Sequence, residues 1–145
     1  MKTTRPPEFL SDPEFVDITE GRETQRYRLR GELSVYSAVL DRVITVPDGF
    51  EFDGESIPVG LQWLVKRFGA SKRGAAVHDY LYRLGGYRRR TGGIEPVTRR
   101  QADAVYEELL RLRGLPAWRA TLRWFTLRCV GWAAWRENEA QRRRG

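Results

Sequence analysis

The sequence predicts an α+β fold, a small N-terminal antiparallel sheet followed by three to four helices, and three observations carry that prediction. The stretch from Gln25 to Val35 alternates apolar with charged or polar residues, the period of half-buried strands. A Pro47-Asp48-Gly49 triplet then separates two further alternating segments, with proline presetting φ and glycine accepting positive φ in the turn. From about residue 59 the apolar spacing becomes that of amphipathic helices with capping residues at their ends. Strands precede helices instead of alternating with them, which separates this class from α/β folds.

The chain has 145 residues, 41% of them hydrophobic, enough for one domain with its own core. We divide it into an irregular arm over 1–24, one domain over 25–138 and a basic tail over 139–145. The arm carries three prolines and mixed charge, with Phe9, Leu10, Phe15 and Val16 as its docking residues. In the first strand Tyr27 and Leu29 alternate with arginines, and Leu33 and Val35 continue the pattern beyond a bend or bulge at Gly31. Arg42–Val46 and Phe50–Phe52 supply further strands on either side of the turn.

Asp53-Gly54-Glu55-Ser56-Ile57-Pro58 is an oxygen-rich loop. It can turn a corner and cap the next helix through Asp53 or Ser56, or offer ligands to a hard cation such as Ca²⁺. A short helix follows from Val59 to about Phe68, and Ser71 caps a second that ends at Gly85-Gly86. Residues 87–93, rich in arginine and glycine, read as a mobile loop. Thr98 and Gln101 fit a capping box opening a third helix, whose core face is Ala102, Val105, Tyr106, Leu109 and Leu112. Beyond Gly114-Leu115-Pro116 a last helix runs from Ala117 to about Asn138, with a tryptophan-containing apolar stripe edged by arginines. The arginine-rich tail is expected to fray.

Charge and cysteine content narrow the function classes. Cys129 is the only cysteine, which excludes an internal disulfide framework and a cysteine-built zinc site. No apolar run is long enough to span a bilayer, and the N-terminus lacks the apolar segment of a secretory signal, so a cytoplasmic origin is expected. The net charge is +7, and all of the 26 basic residues except Lys2, Lys66 and Lys72 are arginine. Arginine suits phosphate and carboxylate recognition, so nucleic acid stays open as a partner on charge alone, without a recognition motif beside it.

His78 is the only histidine and stands beside Asp79 in Ala75-Ala-Val-His-Asp-Tyr-Leu-Tyr-Arg83. Histidine is the side chain whose ordinary pKa lies nearest neutrality. On a helix His78 and Tyr82 share a face, and Asp79 lies about 100° round from the histidine. A general base holds its imidazole in one tautomer through a carboxylate on the other ring nitrogen. Asp103 or Asp53 could serve as that carboxylate. A cation held by Asp79 and by oxygens around Asp53 would stabilise an oxyanion. Ser56 as a nucleophile lacks the G-x-S-x-G elbow that would expose it.

The order of four motifs, Val46-Pro47-Asp48-Gly49-Phe50, Asp53 with Ser56-Ile57-Pro58, Val77-His78-Asp79-Tyr80-Leu81-Tyr82 and Arg100-Gln101-Ala102-Asp103, resembles the phage and prophage domain family of unknown function numbered 1353. The resemblance covers about Tyr27 to Trp135. Phe52 stands where that family usually has threonine, and Glu55 where it has alanine. It implies a viral or prophage origin and other phage proteins as partners, and it implies no activity. The helix around His78 is also similar, over His78, Asp79 and Tyr82, to the HD-x-x-Y helix of the phospholipase A2 superfamily. That similarity implies that His78 activates water, Asp79 binds Ca²⁺ and Asp103 orients the histidine.

Two functions are therefore carried forward. The first is a phage or prophage accessory protein with a structural or assembly role, in which His78, Tyr82 and Asp103 form a polar cluster between helices. The second is a hydrolase with His78, Asp103 and Tyr82 as catalytic residues and Asp79 and Asp53 as Ca²⁺ ligands, acting on a lipid or another ester.

Overall fold

A computed structural model describes residues 5–21, 26–53, 72–112 and 135–144, without the side chains of Asp53 and Leu110. Among the described residues eight strands precede or punctuate the helices: β1 (Glu8–Phe9), β2 (Glu14–Asp17), β3 (Arg26–Arg30), β4 (Leu33–Ser37), β5 (Arg42–Val46), β6 (Glu51–Asp53), β7 (Gly86–Arg88) and β8 (Ile94–Pro96). Helix α1 spans Lys72–Leu84 and α2 spans Arg99–Leu112; residues 135–144 form a third described helix, α3. The class is α+β, as the segregation of periods requires.

Two three-stranded antiparallel sheets take the place of the single small sheet expected. Their orders are β1-β4-β5 and β2-β3-β6. The division falls at Gly31, whose φ of 99° lies where residues with a Cβ are disfavoured. There the chain leaves one sheet and enters the other, and the Asp48 carboxylate accepts the Gly31 N–H at 2.9 Å. The alternation reads correctly on both sides of the bend: Leu29, Leu33, Val35, Ile44 and Val46 are buried while Arg28 and Arg30 face solvent. Each such side chain contributes about 1.5–3 kcal/mol by leaving water.

The arm is not irregular. β1 pairs Glu8 with Tyr36 and Phe9 with Val35, and β2 pairs Glu14 through Asp17 with Arg30 through Tyr27. Both strands are short and sit at sheet edges, where their hydrogen bonds come from β4 and β3. Neither has the length or alternation that would mark it locally, and Pro6, Pro7 and Pro13 flank them without interrupting the ladders.

The loop expected over 87–93 is also more ordered than its composition suggests. β7 and β8 form an antiparallel hairpin, closed by Arg89 N–H to Gly93 O at 3.0 Å and Gly92 N–H to Arg89 O at 3.1 Å. The tail is likewise no frayed end: residues 135–144 are helical, and Arg142 docks on the body. The expected helix over 59–68 lies outside the described residues, as does the expected Ala117–Asn138 helix up to residue 134; its last residues, 135–138, are helical within α3.

One core unites these parts. Phe52 of β6 meets Phe15, Tyr27 and Phe50, and Phe50 meets Tyr80 edge-on with centroids 5.7 Å apart. Val77, Tyr80 and Leu81 of α1 and Ala102, Val105 and Leu109 of α2 complete it. Helix α1 packs against β6 and against α2, and the residues it turns toward α2 can carry the chemistry.

Candidate functional site: a buried carboxylate between two helices

His78 and Tyr82 occur one turn apart on α1, so both side chains emerge from one face. Asp103 enters from the first turns of α2, which Thr98 and Gln101 fix by reciprocal capping: Gln101 N–H donates to the Thr98 hydroxyl at 3.1 Å and Thr98 N–H to the Gln101 side chain at 2.9 Å. The capping box therefore sets the azimuth at which the carboxylate reaches α1.

Both α1 side chains converge on one oxygen. His78 Nε2 lies 2.9 Å from Asp103 Oδ1, and the Tyr82 hydroxyl donates to the same atom at 2.5 Å. Asp103 is fully buried, and His78 and Tyr82 retain only 8% and 4% of their exposure. A hydrogen on Nε2 can be donated to the Asp103 carboxylate, which leaves the second ring nitrogen, Nδ1, for other partners. The imidazole is sandwiched, with its centroid 4.1 Å from that of Tyr82 and 4.9 Å from that of Tyr106.

The family described as Protein of unknown function (DUF1353) matches residues 27–127. The chain belongs to that family. No curated protein and no solved structure matches the chain. The DUF1353 match contains β3 to β8, α1 and α2, and with them His78, Tyr82 and Asp103. Among the described elements it leaves out β1, β2 and α3, which flank the family domain.

The structure brings three of the five sequence-derived site residues together, His78, Tyr82 and Asp103. Asp79 points elsewhere. Its carboxylate meets the Arg83 guanidinium at 2.9 Å one helical turn further on, which is what an i, i+4 spacing on a half-buried helix edge provides. Arg83 in turn covers the Phe50 ring, 5.1 Å from its centroid. Asp53 closes β6 opposite Arg26, and its side chain, like Ser56 and the rest of the 54–58 loop, lies outside the described residues. Among the described residues no group of three or more histidine, cysteine, aspartate or glutamate side chains is placed to hold a metal ion.

Sequence reasoning missed the wall of this site. Trp135 of α3 meets Tyr82 edge-on with centroids 5.1 Å apart. Arg142, from the supposed tail, lies over the Trp135 ring at 5.1 Å and donates to the Tyr82 carbonyl at 2.7 Å. It thereby satisfies a carbonyl that the end of α1 leaves without an intrahelical partner. Tyr106 was legible as a core residue, and its place three residues after Asp103 was the available signal for its contact with His78.

A second, half-buried carboxylate on α2 does structural work beside the site. Glu108 accepts hydrogen bonds from the Ser37 hydroxyl and from the Ala38 and Val39 amides, at 3.1 and 3.2 Å for the amides. It therefore holds the turn between β4 and β5 against α2. Burial pushes its carboxyl above the ordinary range, against those hydrogen bonds, which pull it back.

Proposed function

We propose that the chain is a phage or prophage accessory protein with a structural or assembly role, in which Asp103, His78 and Tyr82 clamp α1 to α2. One observation carries the reading: the acceptor is fully buried, and its two side-chain donors are nearly so. A buried carboxylate is costly unless hydrogen-bonded, so a packing that removed either donor would be disfavoured strongly. The cluster therefore selects one register of the two helices, and that role requires no substrate. The resemblance of the motif order to a phage and prophage family supports this origin and, with it, other phage proteins as partners and host cytoplasm or virion as the location.

The competing hydrolase reading is favoured by the His78–Asp103 distance, which meets the spacing between a general base and its orienting carboxylate. There Nδ1 would take the proton from a water attacking a lipid or other ester. Its Ca²⁺ step asks Asp79 to exchange Arg83 for the cation.

The two readings separate on paired measurements of His78→Ala. The clamp predicts a loss of about 1–3 kcal/mol in urea denaturation and no ester hydrolysis by the wild type, with or without Ca²⁺. Hydrolysis of phospholipid or short-chain ester by the wild type, abolished in a variant of unchanged stability, would replace the clamp with the enzyme.

A further inference from the structure

Arginine is abundant along the whole chain, and much of it is matched by acid. Arg5, Arg28, Arg30, Arg73, Arg83 and Arg111 each reach a carboxylate. Three arginines that reach none among the described residues lie close together. They are Arg88 and Arg90 on the β7–β8 hairpin and Arg100 in the first turn of α2, and all three are exposed. Residues 86–100 hold five arginines and one acidic residue, Glu95, which pairs with Arg89.

The backbone holds this charge in place. Gly92 and Gly93, at φ of 92° and 81°, close the hairpin in a conformation that a Cβ would strain. At its base Val97 N–H donates to Gly85 O at 3.0 Å and Arg88 N–H to the Tyr80 hydroxyl at 3.3 Å. Helix α2 begins directly beyond, and its first turn carries no acidic residue. Arginines there oppose the helix dipole, which favours negative charge at that end. The arrangement is unfavourable within the chain and favourable to an external anion.

We propose that the β7–β8 hairpin and the first turn of α2 form a binding surface for the phosphate backbone of nucleic acid. Guanidinium groups recognise phosphate oxygens through paired N–H donors. Strand geometry places Arg88 and Arg100 within roughly 25 Å of each other, a reach of about seven base pairs at 3.4 Å per pair. The hairpin is preorganised, so little ordering of its backbone opposes binding. An anionic membrane fits less well, because Ile94 is the only large apolar residue exposed on the hairpin and interfacial binding needs an apolar face. The contacts are to the backbone, so binding is independent of base sequence.

Fluorescence anisotropy of a labelled duplex of about 20 base pairs, titrated with the full chain between about 50 and 200 mM NaCl, tests the surface. Each phosphate contact contributes about 0.9 to the slope of log K against log salt, so the Arg88→Gln/Arg90→Gln/Arg100→Gln variant should be less steep by about 2.7. A control, Arg5→Gln/Arg30→Gln/Arg111→Gln, removes the same charge from matched positions and should keep the wild-type slope. Equal losses in the two variants would overturn the surface in favour of net charge alone. So would wild type that ignores the duplex at low salt, or that binds phosphatidylserine vesicles and not the duplex. Should the triple variant fail to melt cooperatively, Arg90→Gln alone, at the hairpin tip, must still shift the slope by about 0.9.

Discussion

Tyr82→Phe removes one atom from the α1–α2 junction and leaves its packing intact. The phenyl ring still meets His78 and Trp135, whose centroids lie 4.1 and 5.1 Å from that of Tyr82. What is lost is a 2.5 Å hydrogen bond to a fully buried carboxylate. A hydrogen bond to a charged group contributes about 1.5–3 kcal/mol, and burial of the acceptor leaves water no cheap way to replace it. For a chain of this size that corresponds to a fall in Tm of roughly 3–12 °C. His78→Phe likewise deletes a donor while keeping a ring between Tyr82 and Tyr106. Because both donors serve Asp103 Oδ1, the two substitutions should not add. A double-mutant cycle in urea should show a coupling of about 0.5–3 kcal/mol. Adding Asp103→Leu to the double variant should then recover stability, since the carboxylate that needed the donors is gone. A Tyr82→Phe cost below about 0.5 kcal/mol, or strict additivity with His78→Phe, would refute the argument that Asp103 depends on these two side chains.

Four further outcomes follow from the same geometry. Gly86→Ala should lower the urea midpoint by the equivalent of about 3 kcal/mol or more, because a Cβ there would stand 2.0 Å from the Glu95 carbonyl oxygen; a midpoint close to wild type would show that β7 and β8 can separate freely. Glu108 has its folded pKa raised by burial, so its contribution to stability is complete below the unfolded value and is lost as pH rises through the folded one. Urea denaturation between about pH 4 and 7 should accordingly reveal a downward component that Glu108→Gln lacks, and identical profiles would count against the burial. Arg142→Ala should cost about 1 kcal/mol and speed amide exchange at the end of α1, with unchanged exchange there arguing against the Arg142 cap. Asp79→Asn removes the charge from a half-buried i, i+4 pair with Arg83 and should cost about 0.5–1 kcal/mol with no change in any response to Ca²⁺; a Ca²⁺-binding heat that this substitution abolishes would return Asp79 to the metal role.

The sequence by itself determined the class and the centre of this protein. Period-two alternation at Tyr27, Leu29, Leu33 and Val35 marked a sheet face because a pleated strand buries every second residue whatever its partner. The spacing of His78 and Tyr82, and the capping box at Thr98 and Gln101, were legible for the same reason: helical geometry is local, and so are its signals. Tertiary structure decided what those local signals meet. Phe9 and Phe15 entered strands because β4 and β3 had open edges to pair with, and an edge partner leaves no mark on the sequence of the strand it recruits. Asp79 was drawn to Arg83, and Asp103 to His78 and Tyr82. Arg142 found the Tyr82 carbonyl 60 residues away. Nothing in a run of arginines says which one will satisfy a carbonyl and which will stay in solvent, because that choice belongs to the surface the folded body presents.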